Sequence, residues 1–597
     1  MFVRNFLSSQ TPYNGLLLFH GLGTGKTCSS IQVCEDMRIY FNQLGIKKKI
    51  IIVASPVVQQ NYKLQLFDER RLKLIDGHWN LKSCTGNKFI KEINPMSMKG
   101  LSKNKVKQQI DKIIRQSYEF MGYTEFANKI NALIKSTKGK DKKINKKRKI
   151  AVIKKMFSDR MLVIDEIHNI RNVATNSKLK RTTQNMKELV MYAENMKLML
   201  LTATPMFNDY REIIWLTNLL NLNDNRFPIG ISDVFDGNGN FLKENGIEVG
   251  KNLLIQKLTG YISYVSGENP FRFPYRIWPI ESKNPHSLQK LLKDGWQYPT
   301  TQINTTNITE PINYLDLVIS VLHEEQDKAY NFVIEKTKEK HPELNDPNKG
   351  IQYTVVDGPE QALNIIYPHE NMDNGNLDYK GLYGKTGLGR VMIYDKNTKK
   401  QFQYSQKTLD KFGRIFSSDD EENSPLRKYS AKIYSIINTI KNSEGIILVY
   451  SSYIDGGCVP IALALEEIGI TRWEKKGGRS KSLFETPPKP SVGRYVMITG
   501  DKQLSPSNKK ELNACTDSEN INGEKVKVII ISRAGSEGLD FKNIRQVHIL
   551  EPWYNMNRAD QTIGRGVRNK SHCDLPFRKR NVEIFLYGSQ LLNKEIE

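Results

Sequence analysis

Residues 16–27 read Leu-Leu-Leu-Phe-His-Gly-Leu-Gly-Thr-Gly-Lys-Thr. Leu16 to Phe19 is a short apolar run, as a buried strand needs. A turn with Gly21, Gly23 and Gly25 follows. Lys26-Thr27 then opens a stretch in which Ile31, Cys34, Met37 and Phe41 recur at helical spacing. Strand, glycine turn and helix in that order predict a phosphate-binding loop. The glycines, with Thr24, let backbone N–H groups turn inward on phosphate oxygens, and the positive end of the helix faces the same anion. Lys26 would reach the β- and γ-phosphates, and the Thr27 hydroxyl would ligate magnesium. The first position of the pattern, normally Gly or Ala, is His20.

Further apolar runs carry polar residues at their ends. Ile50 to Ala54 reads as a strand buried on both faces and stops at Ser55-Pro56. Cys84-Thr85-Gly86-Asn87 is a polar turn. Residues 102–156 read as mostly helical and strongly basic, which suits either a solvated face or nucleic-acid contact. Met161 to Ile164 leads into Asp165-Glu166-Ile167-His168. An acidic pair at a strand's carboxyl end, beside a phosphate loop, is placed for metal and water: Asp165 for magnesium, Glu166 to polarise the attacking water. His168 would link the nucleotide site to the second half of the chain. Leu198 to Leu201 runs into Thr202-Ala203-Thr204-Pro205. Ligand sites of open parallel sheets lie just past strand ends of this kind.

At 597 residues the chain is long enough for three or more domains. Its composition is that of globular protein, with 39% hydrophobic and 26% charged residues. The formal net charge of +25 points to polyanion partners, most simply nucleic acid. The six cysteines form no Cys-x-x-Cys pair and no Cys/His cluster, so no zinc site is read, and their scatter suggests a reducing compartment. No apolar run reaches the length of a membrane helix, and the N-terminus lacks signal-peptide anatomy.

Residues 209–425 read as an intervening segment. Glu212 to Leu220 has an apolar helical face. Residues 266–279 interleave aromatics and arginines, as a packed loop or a base-stacking surface does. Ser424-Pro425 fits a cap and first helical position. From 426 the strand–helix alternation resumes, with runs at 446–450, 495–498, 526–531, 547–550 and 582–587. They end in or near Ser451, Thr499-Gly500-Asp501, Gly535-Ser536-Glu537-Gly538-Leu539-Asp540 and Glu551-Pro552-Trp553. Gln561-Thr562-Ile563-Gly564-Arg565-Gly566-Val567-Arg568 carries two arginines three apart, read as one face of a helix.

In this order the motifs resemble the superfamily 2 helicase core. The finer resemblance is to helicase-like ATPases of nucleocytoplasmic large DNA viruses. It is carried by Thr11-Pro12-Tyr13-Asn14-Gly15, His168-Asn169-Ile170-Arg171 and Arg568-Asn569-Lys570-Ser571-His572. The resemblance implies an α/β fold: a RecA-like parallel-sheet lobe at 1–208, a mixed insertion at 209–425 and a second RecA-like lobe at 426–597. It implies ATP and Mg2+ as cofactors, bound by Gly21, Gly23, Thr24, Gly25, Lys26, Thr27 and Asp165, with Gly538 and Asp540 in the motif that couples the two sites. Glu166 is the implied catalytic base, and Gln561, Arg565 and Arg568 are implied to meet the γ-phosphate. Thr202 and Thr204, with His168, couple hydrolysis to movement. Ser55, Thr85, Ser451 and Thr499 fall where such enzymes touch the nucleic-acid backbone.

The implied activity is ATP-driven translocation along nucleic acid, DNA before RNA, in viral transcription or replication. The implied setting is the virion or the cytoplasmic viral factory, with a viral RNA polymerase or transcription-factor subunit as partner. The alternatives are an ATP-switched DNA-binding subunit that parts no strands and a non-enzymatic remnant. The adenine-reading glutamine of the family, expected just before the first helix, is missing, so a fragment, a split gene or a misplaced start is expected.

Overall fold

The apolar runs form strands because both faces of each sheet are covered. Six strands make the first sheet: Gly15–His20 (β1), Ile50–Val53 (β2), Tyr118–Met121 (β5), Met161–Asp165 (β6), Lys197–Thr202 (β7) and Ile262–Val265 (β8). Leu72–Ile75 (β3) and His78–Leu81 (β4) pair as a separate hairpin. This computed structural model describes residues 2–21, 23–135, 141–172, 177–206, 209–237, 239–265, 269, 271–308, 314–346, 353–370, 377–394, 401–420, 423–474, 481–506, 508–533, 539–552 and 556–592.

The first sheet has the order β5-β2-β6-β7-β1-β8, and every pairing is parallel. Successive residues enter opposite cores. Leu17, Ile51, Val53, Leu162 and Ile164 face one; Leu16, Leu18, Ile50, Ile52 and Val163 face the other. That period of two, with helices on both sides, explains why the sequence shows unbroken apolar runs instead of alternation. Because the strands are parallel, their carboxyl ends share one edge. Register sets Thr202 beside Phe19 and Asp165 beside Leu201. β7 lies between β6 and β1, so Asp165 and the turn after His20 are two strand spacings apart, about 10 Å.

The second sheet continues the scheme. Its strands are Tyr275–Ile277 (β9), Val318–Val321 (β10), Ile446–Ser451 (β13), Ile470–Arg472 (β14), Gly493–Ile498 (β15), Val528–Ser532 (β16), Ile544–Ile549 (β17) and Asn581–Gln590 (β18). The order is β10-β18-β17-β13-β16-β15-β14, with β9 also pairing β18. Met392–Tyr394 (β11) and Phe402–Tyr404 (β12) form a small antiparallel pair. The alternation recurs, with Ile447, Val449, Met497 and Ile530 in one core and Leu448, Tyr450, Ile498 and Ile531 in the other.

The chain divides into two compact units, Met1–Gly267 and Glu268–Glu597. The span 209–425 is shared between them. Its β8 belongs to the first sheet, because it pairs β1, and its Glu212–Asn223 helix packs Trp215, Leu216 and Leu219 into that sheet's core with Leu17. Its β9 and β10 pair β18 in the second. The Glu212–Asn223 helix is buried on every side, beyond the single apolar face expected of it. Within 102–156, Tyr118–Met121 is a strand and not helix, and Tyr118 Oη donates to the buried Glu35 at 2.5 Å. Ser424 caps the Pro425–Tyr429 helix, its hydroxyl accepting from Arg427 N at 3.3 Å.

Candidate active site

Gly25 caps the Lys26–Gln43 helix at φ 92°, and Gly23 has φ 73°. A Cβ on Gly25 would meet nothing within 4 Å, so conformation and not space requires glycine there. Thr24 Oγ1 donates to Gly21 O at 2.7 Å and tightens the turn. Lys26 Nζ donates to His20 O at 2.8 Å and to Gly21 O at 3.4 Å, so its ammonium lies within the curl of the loop. Thr27 follows on the first helical turn.

The departure at His20 has a structural reason. Its ring is buried and Nε2 lies 2.8 Å from Ser263 Oγ of β8, while Gly21 N donates to Val265 O at 3.1 Å. The side chain faces the sheet edge and leaves the turn to the glycines. Burial, then the Lys26 charge, holds the His20 pKa below its usual value, so the ring is neutral at pH 7.

Asp165 closes β6 and is 6% exposed. Its Oδ1 accepts from Glu166 N at 3.0 Å, and its carbonyl accepts from Tyr123 Oη at 2.8 Å. Burial raises the proton affinity of its carboxyl, neighbouring Glu166 adds to this, and Lys26 opposes it. A bound divalent cation would act in the same direction as Lys26. Glu166 has φ 47°, an uncommon conformation for a residue other than glycine, and strained backbone of this type concentrates at functional sites.

His168 Nδ1 lies 3.2 Å from Thr202 Oγ1 and 3.5 Å from Glu166 Oε2. Thr202 Oγ1 accepts from Thr204 N at 3.0 Å. Glu166, His168, Thr202 and Thr204 thus form one polar chain from the end of β6 to the end of β7. Among the described residues, Ser55 Oγ and Thr204 Oγ1 are buried along this edge with no hydrogen-bond partner, and the buried Glu166 Oε2 has only its 3.5 Å contact with His168 Nδ1. Buried polar atoms are ordinarily paired. Their clustering beside a phosphate loop, with a hydroxyl and a carboxylate as hard oxygen donors at Thr27 and Asp165, fits a magnesium-nucleotide.

The predicted backbone-contact residues are less open. Ser55, Thr85, Ser451 and Thr499 are 7%, 5%, 0% and 2% exposed. Thr85 Oγ1 donates to Leu66 O at 3.2 Å. Thr499 Oγ1 lies 2.8 Å from Ser505 Oγ. Ser451 Oγ donates to Glu551 Oε1 at 2.7 Å, and Glu551 also accepts from Ser452 N and from Asn364 Nδ2, the latter at 3.1 Å. None of these hydroxyls points to solvent.

Lys432, buried beside this group, donates to Leu550 O at 3.2 Å. Burial raises the Glu551 pKa and lowers that of Lys432. The sequence showed Glu551 only as part of a strand ending. Asn364 and Lys432 lie in stretches with no motif, and only the fold brings them in.

In the second unit Gln561 and Arg565 lie on the Met556–Gly566 helix, both half-buried. The expectation that Arg565 and Arg568 share a helical face is corrected: the helix ends at Gly566. There the chain turns, and Ser571 Oγ donates to Arg568 O at 2.9 Å and accepts from Arg568 N at 3.3 Å. A Cβ on Gly566 would come within 3.1 Å of Ile544, so the close approach to β17 also calls for glycine. Arg568 pairs with Asp540, joining two residues predicted from separate motifs. Gly538 lies outside the described residues.

The scatter of cysteines reads differently in the fold. Cys28 and Cys84 form a disulfide, with Cα atoms 5.3 Å apart. It ties the residue after Thr27 to the residue before Thr85.

Residues 2–228 match the SNF2-related domain, and residues 494–570 match the helicase conserved C-terminal domain. Over 98% of this chain and 81% of its own length, a protein of Acanthamoeba polyphaga mimivirus assigned as an ATP-dependent RNA helicase is 26% identical. A protein of Invertebrate iridescent virus 3 assigned as a helicase is 24% identical over 98% of this chain and 48% of its own length. A protein of African swine fever virus named as a homolog of the termination factor NPH-I is 23% identical, over 96% of this chain and 69% of its own length.

Proposed function

We propose that the chain is a superfamily 2 helicase-type ATPase of the kind found in nucleocytoplasmic large DNA viruses, a motor that hydrolyses ATP to move along nucleic acid during viral transcription. The observation that carries the catalytic reading is the edge of the first sheet. There Lys26, Asp165, Glu166, His168, Thr202 and Thr204 converge, with the buried Ser55 Oγ and Thr204 Oγ1 left unpaired among the described residues. The bound nucleotide supplies the phosphoanhydride bond, and magnesium spreads the charge of its oxygens.

Lys26, drawn from its loop carbonyls, neutralises the phosphates. Thr27 and Asp165 hold the metal, and the Gly21–Gly25 turn aims its N–H groups. Glu166 accepts a proton from the attacking water. Its contact with His168, and that of His168 with Thr202, gives the γ-phosphate's departure a path to the strand ends that follow. We assign Gln561, Arg565 and Arg568 as the charge-stabilising set of the C-terminal lobe; Arg568 pairs with Asp540 in this structure.

Among the described residues no helix is long and apolar enough to cross a membrane. The +25 charge favours a polyanionic track. We propose a first RecA-like lobe at 1–208 extended by the Glu212–Asn223 helix and β8, a second at 426–597 extended by β9 and β10, work in the cytoplasmic viral factory, DNA as the preferred track, and a viral RNA polymerase or transcription-factor subunit as partner.

The test is displacement of a triplex-forming strand from duplex DNA. Displacement that requires ATP and fails in Lys26→Ala supports movement. ATP turnover with tight duplex binding and no displacement would contradict movement and favour a nucleotide-switched DNA-binding subunit.

A further inference from the structure

In the aromatic-arginine stretch at 266–279, the described residues 271–279 are not simply a packed loop. Phe273 is 6% exposed and sits in the second core with Ile544 and Val582. Phe271 and Tyr275, two residues to either side, are 72% and 63% exposed. Backbone holds them in place. Tyr275 pairs with Asn581 in the β9–β18 ladder, Tyr275 N donates to Arg580 O at 2.9 Å, and Lys570 N donates to Arg272 O at 2.6 Å. These bonds bring the 271–277 segment against the 570–580 turn. There Phe577 is 66% exposed, with its ring 6.4 Å from that of Phe271 and the Arg580 guanidinium 5.9 Å over its face.

Three large rings on an ordered backbone, open to water, mark an interaction surface. Each forgoes roughly 1.5–3 kcal/mol of burial. The surrounding charge narrows the partner. Residues 570–580 carry Lys570, Arg578, Lys579 and Arg580 against Asp574, with Lys579 paired to Glu444 at 3.3 Å. Arg272 adds a further exposed cation, while Glu281 is engaged by Tyr275 Oη and Asp560 pairs with Arg276. Exposed rings interleaved with cations fit unpaired bases and their phosphates.

The location separates this surface from the candidate track. Asn581 begins β18, so the rings lie at the amino-terminal edge of the sheet. Ser451 and Thr499 lie at the carboxyl edge. The six residues of β13 alone span about 20 Å.

We propose that Phe271, Tyr275 and Phe577, flanked by Arg272, Lys570 and Arg578, form a second nucleic-acid site that stacks the bases of a single strand outside the motor's own track. This extends the motor reading without using its catalytic residues.

The test uses the full chain with unlabelled duplex DNA in excess to occupy the track. Fluorescent oligo-dT and oligo-U are titrated separately, and 5-bromouracil versions are photocrosslinked and mapped. The expected result is residual single-strand binding, with crosslinks in peptides covering 271–277 or 573–580. In Phe271→Ala/Phe577→Ala that binding weakens at least about fivefold, the lower end for loss of one base–aromatic stack, while duplex-stimulated ATP hydrolysis and Tm are unchanged. The DNA and RNA arms show which strand is held. No residual binding, crosslinks only elsewhere, or an unaltered affinity in the double variant would overturn the proposal and leave the surface to an acidic protein partner.

Discussion

The carboxyl edges of the two sheets are built from the same motif scheme and finished differently. In the first unit, among the described residues, Ser55 Oγ and Thr204 Oγ1 are buried without hydrogen-bond partners, Glu166 Oε2 has only a 3.5 Å contact with His168, and Glu166 has a positive φ. In the second, Ser451, Ser452 N and Asn364 all converge on Glu551, and Thr499 is satisfied by Ser505. The first edge is incomplete on its own and is held by other means, among them the Cys28–Cys84 disulfide. In the second these groups are paired, while Asn508, whose amide donates to Thr499 O at 3.1 Å, keeps its Oδ1 buried without a partner among the described residues. An edge that keeps its polar groups unspent can give them to a ligand. An edge that spends them internally becomes a rigid platform.

This contrast can be broken or sharpened. Lys26→Ala should lower ATP hydrolysis by about 1,000-fold, the upper range for removing one preorganised charge-stabilising donor, with folding intact by circular dichroism. Hydrolysis within tenfold of wild type would mean that the first edge is not the catalytic one. Reduction of the disulfide, or Cys28→Ser, removes a link between residues 56 apart in sequence, worth up to about 4 kcal/mol by the chain-entropy model, and should appear as a lower urea midpoint for the first unit.

Glu551→Ala leaves Ser451, Ser452 N and Asn364 without their acceptor and should cost the second unit about 3 kcal/mol, while Glu551→Gln keeps an acceptor oxygen and should recover most of it. The finest test pairs two hydroxyls. Ser451→Ala should lose about 1 kcal/mol of stability, and Ser55→Ala, which has no bond to lose, should leave the urea midpoint where it is. Equal losses in the two variants would remove the distinction between the edges.

The strands of both sheets were legible because each run is buried on two faces and therefore apolar without interruption. The phosphate loop and the acidic pair were legible because their spacing is local. Glu551, Asn364 and Lys432 were not, since their network spans residues 364–551 and no periodicity encodes it. β5 was hidden because Tyr118–Met121 lies between two amphipathic helices and is too short to interrupt their pattern. The end of the helix at Gly566 was missed for a related reason. The i, i+3 spacing of Arg565 and Arg568 suits a helix, but the Ser571 turn and the approach to Ile544 override it. The exposed rings at 271 and 275 were undecidable from composition, because burial of Phe273 between them comes only from the β9–β18 register.

The most direct measurement is phosphate release from Mg·ATP by the full chain, alone and with single-stranded DNA, duplex DNA and RNA, beside Glu166→Gln. The account predicts stimulation by nucleic acid and a loss of about 100- to 10,000-fold in the variant, as for removal of a general base, with ATP binding retained. Turnover that no nucleic acid stimulates, or that Glu166→Gln leaves intact, would contradict it.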